Sequence, residues 1–240
     1  MRLKQTRTFH KSIHSDPLMK GNQKLTITAP ALPPERDALV PDQFELESES
    51  DYTSLFLRDL DLTGRELNES VFDSTRFTRV TLNDTSLNKC QFRDTRFDTC
   101  SMANAAWKSC KLGQLQLANC KFTGFRLIDA QLANVLFDNG AGKFAHFNGS
   151  VFRKVIFQNC SLPGADFSNC NFQDTMFMGC DLSEALFYDA KLQGTDFRGS
   201  TIFGMKAFAK DLSGAIMSEE QVHELAPMMA ELLGICLRSD

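Results

Sequence analysis

The chain is poor in several things that usually announce a function. It has one Trp, two Tyr and four His in 240 residues, and no apolar run is long enough to cross a bilayer. The basic N-terminus, MRLKQTRTFHKSIHSDPLMK, is not followed by the apolar core of a secretory signal. Both absences point to a cytoplasmic protein. An excess of positive charge is missing too. The net charge is −4 and the pI near 5.6, which gives no general affinity for nucleic acid or for an anionic membrane. Catalytic groupings are equally scarce: His146 and His223 stand alone, no Ser or Cys sits beside a base, and the carboxylates are scattered. The sequence therefore predicts no enzyme and no cofactor. His10 and His14 have the i, i+4 spacing of a helical metal pair, but no third ligand is near and no metal site is expected.

What is abundant is Phe, with 21 residues placed in a strict rhythm. Over residues 151–190 the second residue of each five is Phe or Leu, and the fifth is small or Val. The frame is longer than that stretch. From 57 to 217 every fifth residue is Leu, Phe, Met, Ile or Trp, except Gly142 and Ala207. The residues two before these centres form a second, mostly small series, with Leu115, Phe125 and Met205 as larger members. Seven of the eight Cys belong to it: Cys90, Cys100, Cys110, Cys120, Cys160, Cys170 and Cys180. Stacked thiols that point the same way are badly placed for disulfides, and no CxxC is present, so the Cys read as buried filler.

A period of five fits neither a helix at 3.6 nor a strand at 2. It fits a chain that turns a corner every five residues and sends two side chains inward from each side. Four sides close a square coil of 20 residues, and the next coil stacks about 4.8 Å above it. The 33 centres then give about eight coils. Such a coil has no core of its own and depends on its neighbours and on end caps.

Ala165-Asp166-Phe167-Ser168-Asn169 and Cys170-Asn171-Phe172-Gln173-Asp174 carry a resemblance. The run resembles the pentapeptide-repeat family, whose motif is Ala-(Asp/Asn)-Leu-X-X with Phe common at the centre. The resemblance implies an all-β solenoid, a right-handed quadrilateral β-helix. It also implies one functional possibility, because some members look like duplex DNA in shape and negative charge, occupy the DNA site of gyrase, a type II topoisomerase, and confer quinolone resistance. The charges of this chain argue against that mimicry: from Arg58 to Asp211 there are 18 Lys or Arg and 17 Asp or Glu.

The leading expectation is instead a non-enzymatic protein-binding scaffold that uses its outer faces. Leu136, Ile156 and Met176 recur at intervals of 20 in an outward column, with Met178 beside the last, and form the candidate partner contact. A separate protein and the chain's own first 50 residues are equal candidates to cover it.

Residues 1–50 read as a loosely docked arm, in which the run 25–28 could pair as a strand, and 51–217 as the repeat. In Asn139-Gly-Ala-Gly-Lys143 both inward positions are glycine. The preferred reading is a bulge that turns Phe144 inward, the alternative a local pinch touched by a ligand or partner; no phosphate loop follows from the spacing. Phe203 to Phe208 marks a distorted last coil. Over 218–240, Ser218 and Gln221 make a capping box, and Val222, Leu225, Met229 and Leu232 recur at helical spacing. Pro227 should split that helix or begin its second part, Gly234 should stop it, and 235–237 could add a strand. This segment reads as a lid on the rod, and the family resemblance makes it a candidate homodimer interface.

Overall fold

The computed structural model describes residues 25–34, 45–236 and 238. One local event repeated every five residues explains the architecture. Two positions after each centre the backbone enters the left-handed region, as at Asp59 (φ 55°), Asn139 (φ 52°) and Gly179 (φ 61°). Gly, Asn and Asp reach that region most readily, and they hold most of these corners. Four corners bring the chain back above its starting point. Every strand pair is parallel with an offset of 20, from Asp51↔Val71 to Val151↔Asn171. The expected quadrilateral β-solenoid is the fold.

The four faces start at residues 51–55, 56–60, 61–65 and 66–70, each continued by its equivalents 20 residues on. The first two share a 10-stranded parallel sheet. From residue 111 on, the strands Lys111–Ala118, Gln131–Asp138, Val151–Gln158 and Asn171–Met178 continue through the corner between them, with Gln114, Asn134, Lys154 and Asp174 in the left-handed region at the bend. The fourth face holds a four-stranded sheet, and the third is a stack of turns joined by single bridges such as Lys121↔Ala141. Strands build about six turns, slightly fewer than the coils expected from the sequence. After Met178 the register continues only as isolated bridges, ending at Asp196↔Ile216, while backbone bonds such as Phe177 N–H to Asp196 O still join the coils.

Inside, the large centres stack ring upon ring. Phe77–Phe97, Phe137–Phe157 and Phe157–Phe177 have centroids 4.5, 4.4 and 4.9 Å apart. Ring stacking and strand pairing thus ask for nearly the same rise. Tyr52 lies on Phe72 in the same way at 4.9 Å, so the coil begins one pentapeptide before Leu57. The small series does more than fill space. Thr95 Oγ1, Ser150 Oγ and Cys100 Sγ donate to Phe72 O, Leu127 O and Phe77 O at 3.3, 2.9 and 3.5 Å. Each reaches a carbonyl of the coil before, which is why Ser, Thr and Cys exchange freely there. All seven repeat cysteines are buried and unbridged. Burial pushes the Cys170 thiol up to about 12, which keeps it protonated and unreactive.

Gly140 and Gly142 do not form a bulge. The offset of 20 is kept through Lys121↔Ala141 and Ala141↔Ser161. Both glycines face inward because Phe122, one coil earlier, fills their space: a Cβ at Gly140 would stand 2.5 Å from its ring, and one at Gly142 would collide with it. Phe144 consequently points outward and is 51% exposed. Near the end, Met205 in the small series and Ala207 at a centre exchange sizes, and both stay buried. Residues 209–214 then leave the regular coil before the register returns at Ile216.

The helix Glu219–Leu232 opens on the capping box, with Ser218 N–H donating to Gln221 Oε1 at 2.9 Å. Gln221 also donates through Nε2 to Phe197 O at 2.7 Å and Ser200 O at 2.8 Å, which ties the cap to the last coil. Pro227 does not split the helix. It removes one backbone donor, while buried Gln221, Leu225 and Ala230 seat the helix on both sides of it. Gly234 at φ 71° ends the helix, donating to Glu231 O as Ile235 donates to Ala230 O. Ile235 and Cys236 are not in a strand, since the cap uses the Ile235 donor; Leu237 lies outside the described residues. No described helix is long and apolar enough to cross a membrane.

Candidate functional site

Outward side chains distinguish the faces, because the interior is uniform. On the second face Leu136, Met176 and Met178 are half-buried and Ile156 is only 7% exposed. The column expected to offer an apolar surface is therefore partly closed. Leu186, at the equivalent outward position of the fourth face, keeps partial exposure. Residues 25–34 are seated at the corner beside this column. They form no strand, and their anchors are side chains of the rod. Thr28 N–H donates to Asn134 Oδ1 at 2.8 Å, and Asn134 Nδ2 donates back to Thr28 O at 3.0 Å. Two coils below, Asp94 Oδ1 accepts from Ala31 N–H at 2.8 Å. Asn134 and Asp94 carried no sequence signal, since Asn and Asp fill many corners for conformational reasons alone.

The third face presents a different group. Phe144 sits at a corner with φ 57°, and it is the one aromatic residue among the described non-glycine corners in the left-handed region. That conformation is costly for a bulky side chain. Its ring lies against the next coil at Gly164, where a Cβ would come within 2.6 Å, and Lys143 Nζ stands 4.8 Å from its centroid. Phe203, 69% exposed, belongs to the same face three coils on, about 14 Å along the rod. Both were visible in the sequence as Phe outside the repeat frame.

At the capped end, Leu225 is buried and Met229 half-buried against the core, whereas Val222 and Leu232 are 56% and 44% exposed. Leu233 and Ile235 extend this apolar surface. The expected set thus divides into residues that seat the lid and residues that face outward.

Charges pair from coil to coil. Arg79–Asp59, Lys89–Glu69 and Arg93–Asp73 lie at 2.6, 2.8 and 3.1 Å, all with partners 20 apart. Arg79 and Lys89 hold the Asp59 and Glu69 carboxyls below their ordinary values. His146, alone in sequence, stands 3.9 Å from Asp166 of the next coil. No set of three or more His, Cys, Asp or Glu that could hold a metal occurs among the described residues. His10 and His14 lie outside them.

Comparison with known proteins agrees with this geometry. A model of pentapeptide repeats matches residues 57–94, and a model of the pentapeptide repeat region matches residues 90–165 and 150–224. No curated protein matches the sequence. Among solved structures, HetL, a pentapeptide repeat protein involved in heterocyst differentiation regulation from the cyanobacterium Nostoc sp. strain PCC 7120, aligns at 17% identity, covering 72% of this chain and 91% of its own, with a TM-score of 0.39. QnrB1, a plasmid-mediated fluoroquinolone resistance protein, aligns at 19% identity over 78% of this chain and 100% of its own, with a TM-score of 0.35. With repeat models covering the rod and a 20-residue register running through it, this chain belongs to the pentapeptide-repeat family.

Proposed function

We propose that this chain is a non-enzymatic scaffold that binds a protein partner on the outside of its rod, chiefly through Phe144 and Phe203. The observation that carries this reading is Phe144, an aromatic ring half in solvent at a corner where Asn, Asp or Gly would be cheaper. The half-buried ring returns to folding only about what its left-handed backbone costs, whereas a partner gains an anchored ring with little freedom to lose. The test places a photo-crosslinking residue at Ser183, between the two rings along the face, in the native host. One adduct is expected, and it should vanish when Phe144→Asn and Phe203→Ser are combined. An adduct indifferent to both substitutions would remove the reading.

A second reading, a DNA-mimicking partner of gyrase or another type II topoisomerase linked to quinolone resistance, draws on what QnrB1's name says of that protein. The coil-to-coil pairing of Asp59, Glu69 and Asp73 with Arg79, Lys89 and Arg93 weighs against it, since it neutralises acidic columns that a DNA mimic needs bare. Inhibition of gyrase-catalysed supercoiling decides between the two readings. The scaffold reading predicts none at high protein excess.

The exposed Val222, Leu232, Leu233 and Ile235 support a homodimer through the capped end. Sedimentation of the Leu232→Asp, Leu233→Asp variant should then give half the mass of the parent.

A further inference from the structure

The corner between the first and second faces recognises backbone rather than side chains. Asn134 offers its amide to both the N–H and the C=O of Thr28, as a neighbouring strand would, and Asp94 takes the N–H of Ala31. Spacing confirms that the two anchors act on one extended segment. Asp94 and Asn134 are 40 residues apart, two coils or about 10 Å along the rod, and three extended residues span about the same distance. The segment therefore runs along the rod axis, advancing one coil for roughly 1.5 residues. Continued at that pitch, Ile27 comes level with Ile156 and Leu25 level with Met176. The burial agrees: Leu25 and Ile27 are half-buried, Thr26 and Thr28 are exposed, and among Leu136, Ile156 and Met176 it is Ile156 that is most covered, at 7% exposed.

We infer that this corner, with the column Leu136, Ile156 and Met176, is a binding groove for an extended, uncharged protein segment with apolar residues at alternate positions, and that residues 25–34 occupy it in cis as a displaceable strap. The chemistry of the occupant is that of the strap. Leu-Thr-Ile-Thr-Ala-Pro-Ala-Leu-Pro-Pro has no ionisable side chain and two apolar residues in alternation; past the extended residues 25–30 Leu32 N–H closes a tight turn onto Pro30 O, and the three prolines bring no backbone donor that needs a partner. Because the named anchors read main chain only, a partner segment with the same apolar spacing satisfies them equally well. The strap thus closes the face until a competing segment is present.

The test uses the full-length chain. Ile27→Asp puts a charge on the strap without touching the rod. An end-capped synthetic peptide of residues 25–34 is titrated against wild type and this variant, while amide exchange is followed over residues 26–31. Expected are slowed exchange in wild type, fast exchange in the variant, and peptide binding at least tenfold tighter to the variant, abolished by adding Asn134→Ala. Equal peptide affinity for the two proteins, no binding to the variant, or identical exchange in both would overturn the inference. A concentration-dependent dimer of wild type that Ile27→Asp dissolves would also overturn the cis arrangement, showing the strap exchanged between copies.

Discussion

Phe122 and Phe144 lie in adjacent coils on the third face, and each rests against glycine in the coil that follows. Phe122 points inward, is fully buried, and occupies the room left by Gly140 and Gly142. Phe144 points outward over Gly164 and stays half-exposed. The same residue type with the same kind of neighbour serves opposite ends. Inward, the glycines are missing side chains that one ring replaces, so the core keeps its density. Outward, the glycine lets a ring lie flat where nothing in the core needs it. In a solenoid the two inward residues of each five determine the fold, and the residues between are left for contact.

The widest break in this comparison is Phe122→Ala. With glycines above it nothing can collapse into the gap, and a loss of about 3–5 kcal/mol is expected, read as a lowered denaturation midpoint. Gly142→Ala approaches the same contact from the other side. The added methyl collides with the Phe122 ring, and a cost of about 1–3 kcal/mol follows. A neutral result for either substitution would mean that Phe122 does not fill the glycine space.

These two glycines also show where sequence reasoning ran out. The period, the stacked columns, the inward Cys and the capping box at Ser218 were all legible, because each recurs at a fixed spacing of five or twenty residues or lies within a few neighbouring residues. At Gly140 and Gly142 a bulge was preferred over a pinch; the filling of their space by Phe122, 20 residues before Gly142 in the same inward column, was missed because a glycine in a column does not say which neighbour replaces its side chain. Phe144 was expected inside as part of a bulge, although the frame of five continues on both sides of it and places it at a corner, which forces it outward. The strap at Asn134 joins residues 106 apart in sequence, and no local pattern encodes it. Pro227 was over-weighted: one lost donor does not break a helix held from both halves.

Acid sharpens the contrast from the exterior. The Asp59 and Glu69 carboxyls, held below their ordinary values of 3.8 and 4.5 by Arg79 and Lys89, stabilise the fold in full above those values. That contribution is lost as pH falls through the lowered folded values. Both groups are solvent-exposed, so Arg79→Ala with Lys89→Ala should flatten the acid limb of the stability curve only slightly. A large flattening would show the exterior pairs carrying the fold.

The most direct measurement is the stability of Phe144→Asn beside that of Phe122→Ala. Relief of left-handed strain, about 1–2 kcal/mol, and loss of a half-buried ring, roughly 1 kcal/mol, should nearly cancel in the first. An unfolding free energy for Phe144→Asn within about 1 kcal/mol of wild type is expected, far above that of Phe122→Ala. A loss for Phe144→Asn approaching that of Phe122→Ala would contradict it, because Phe144 would then be part of the fold and not a ring held out for a partner.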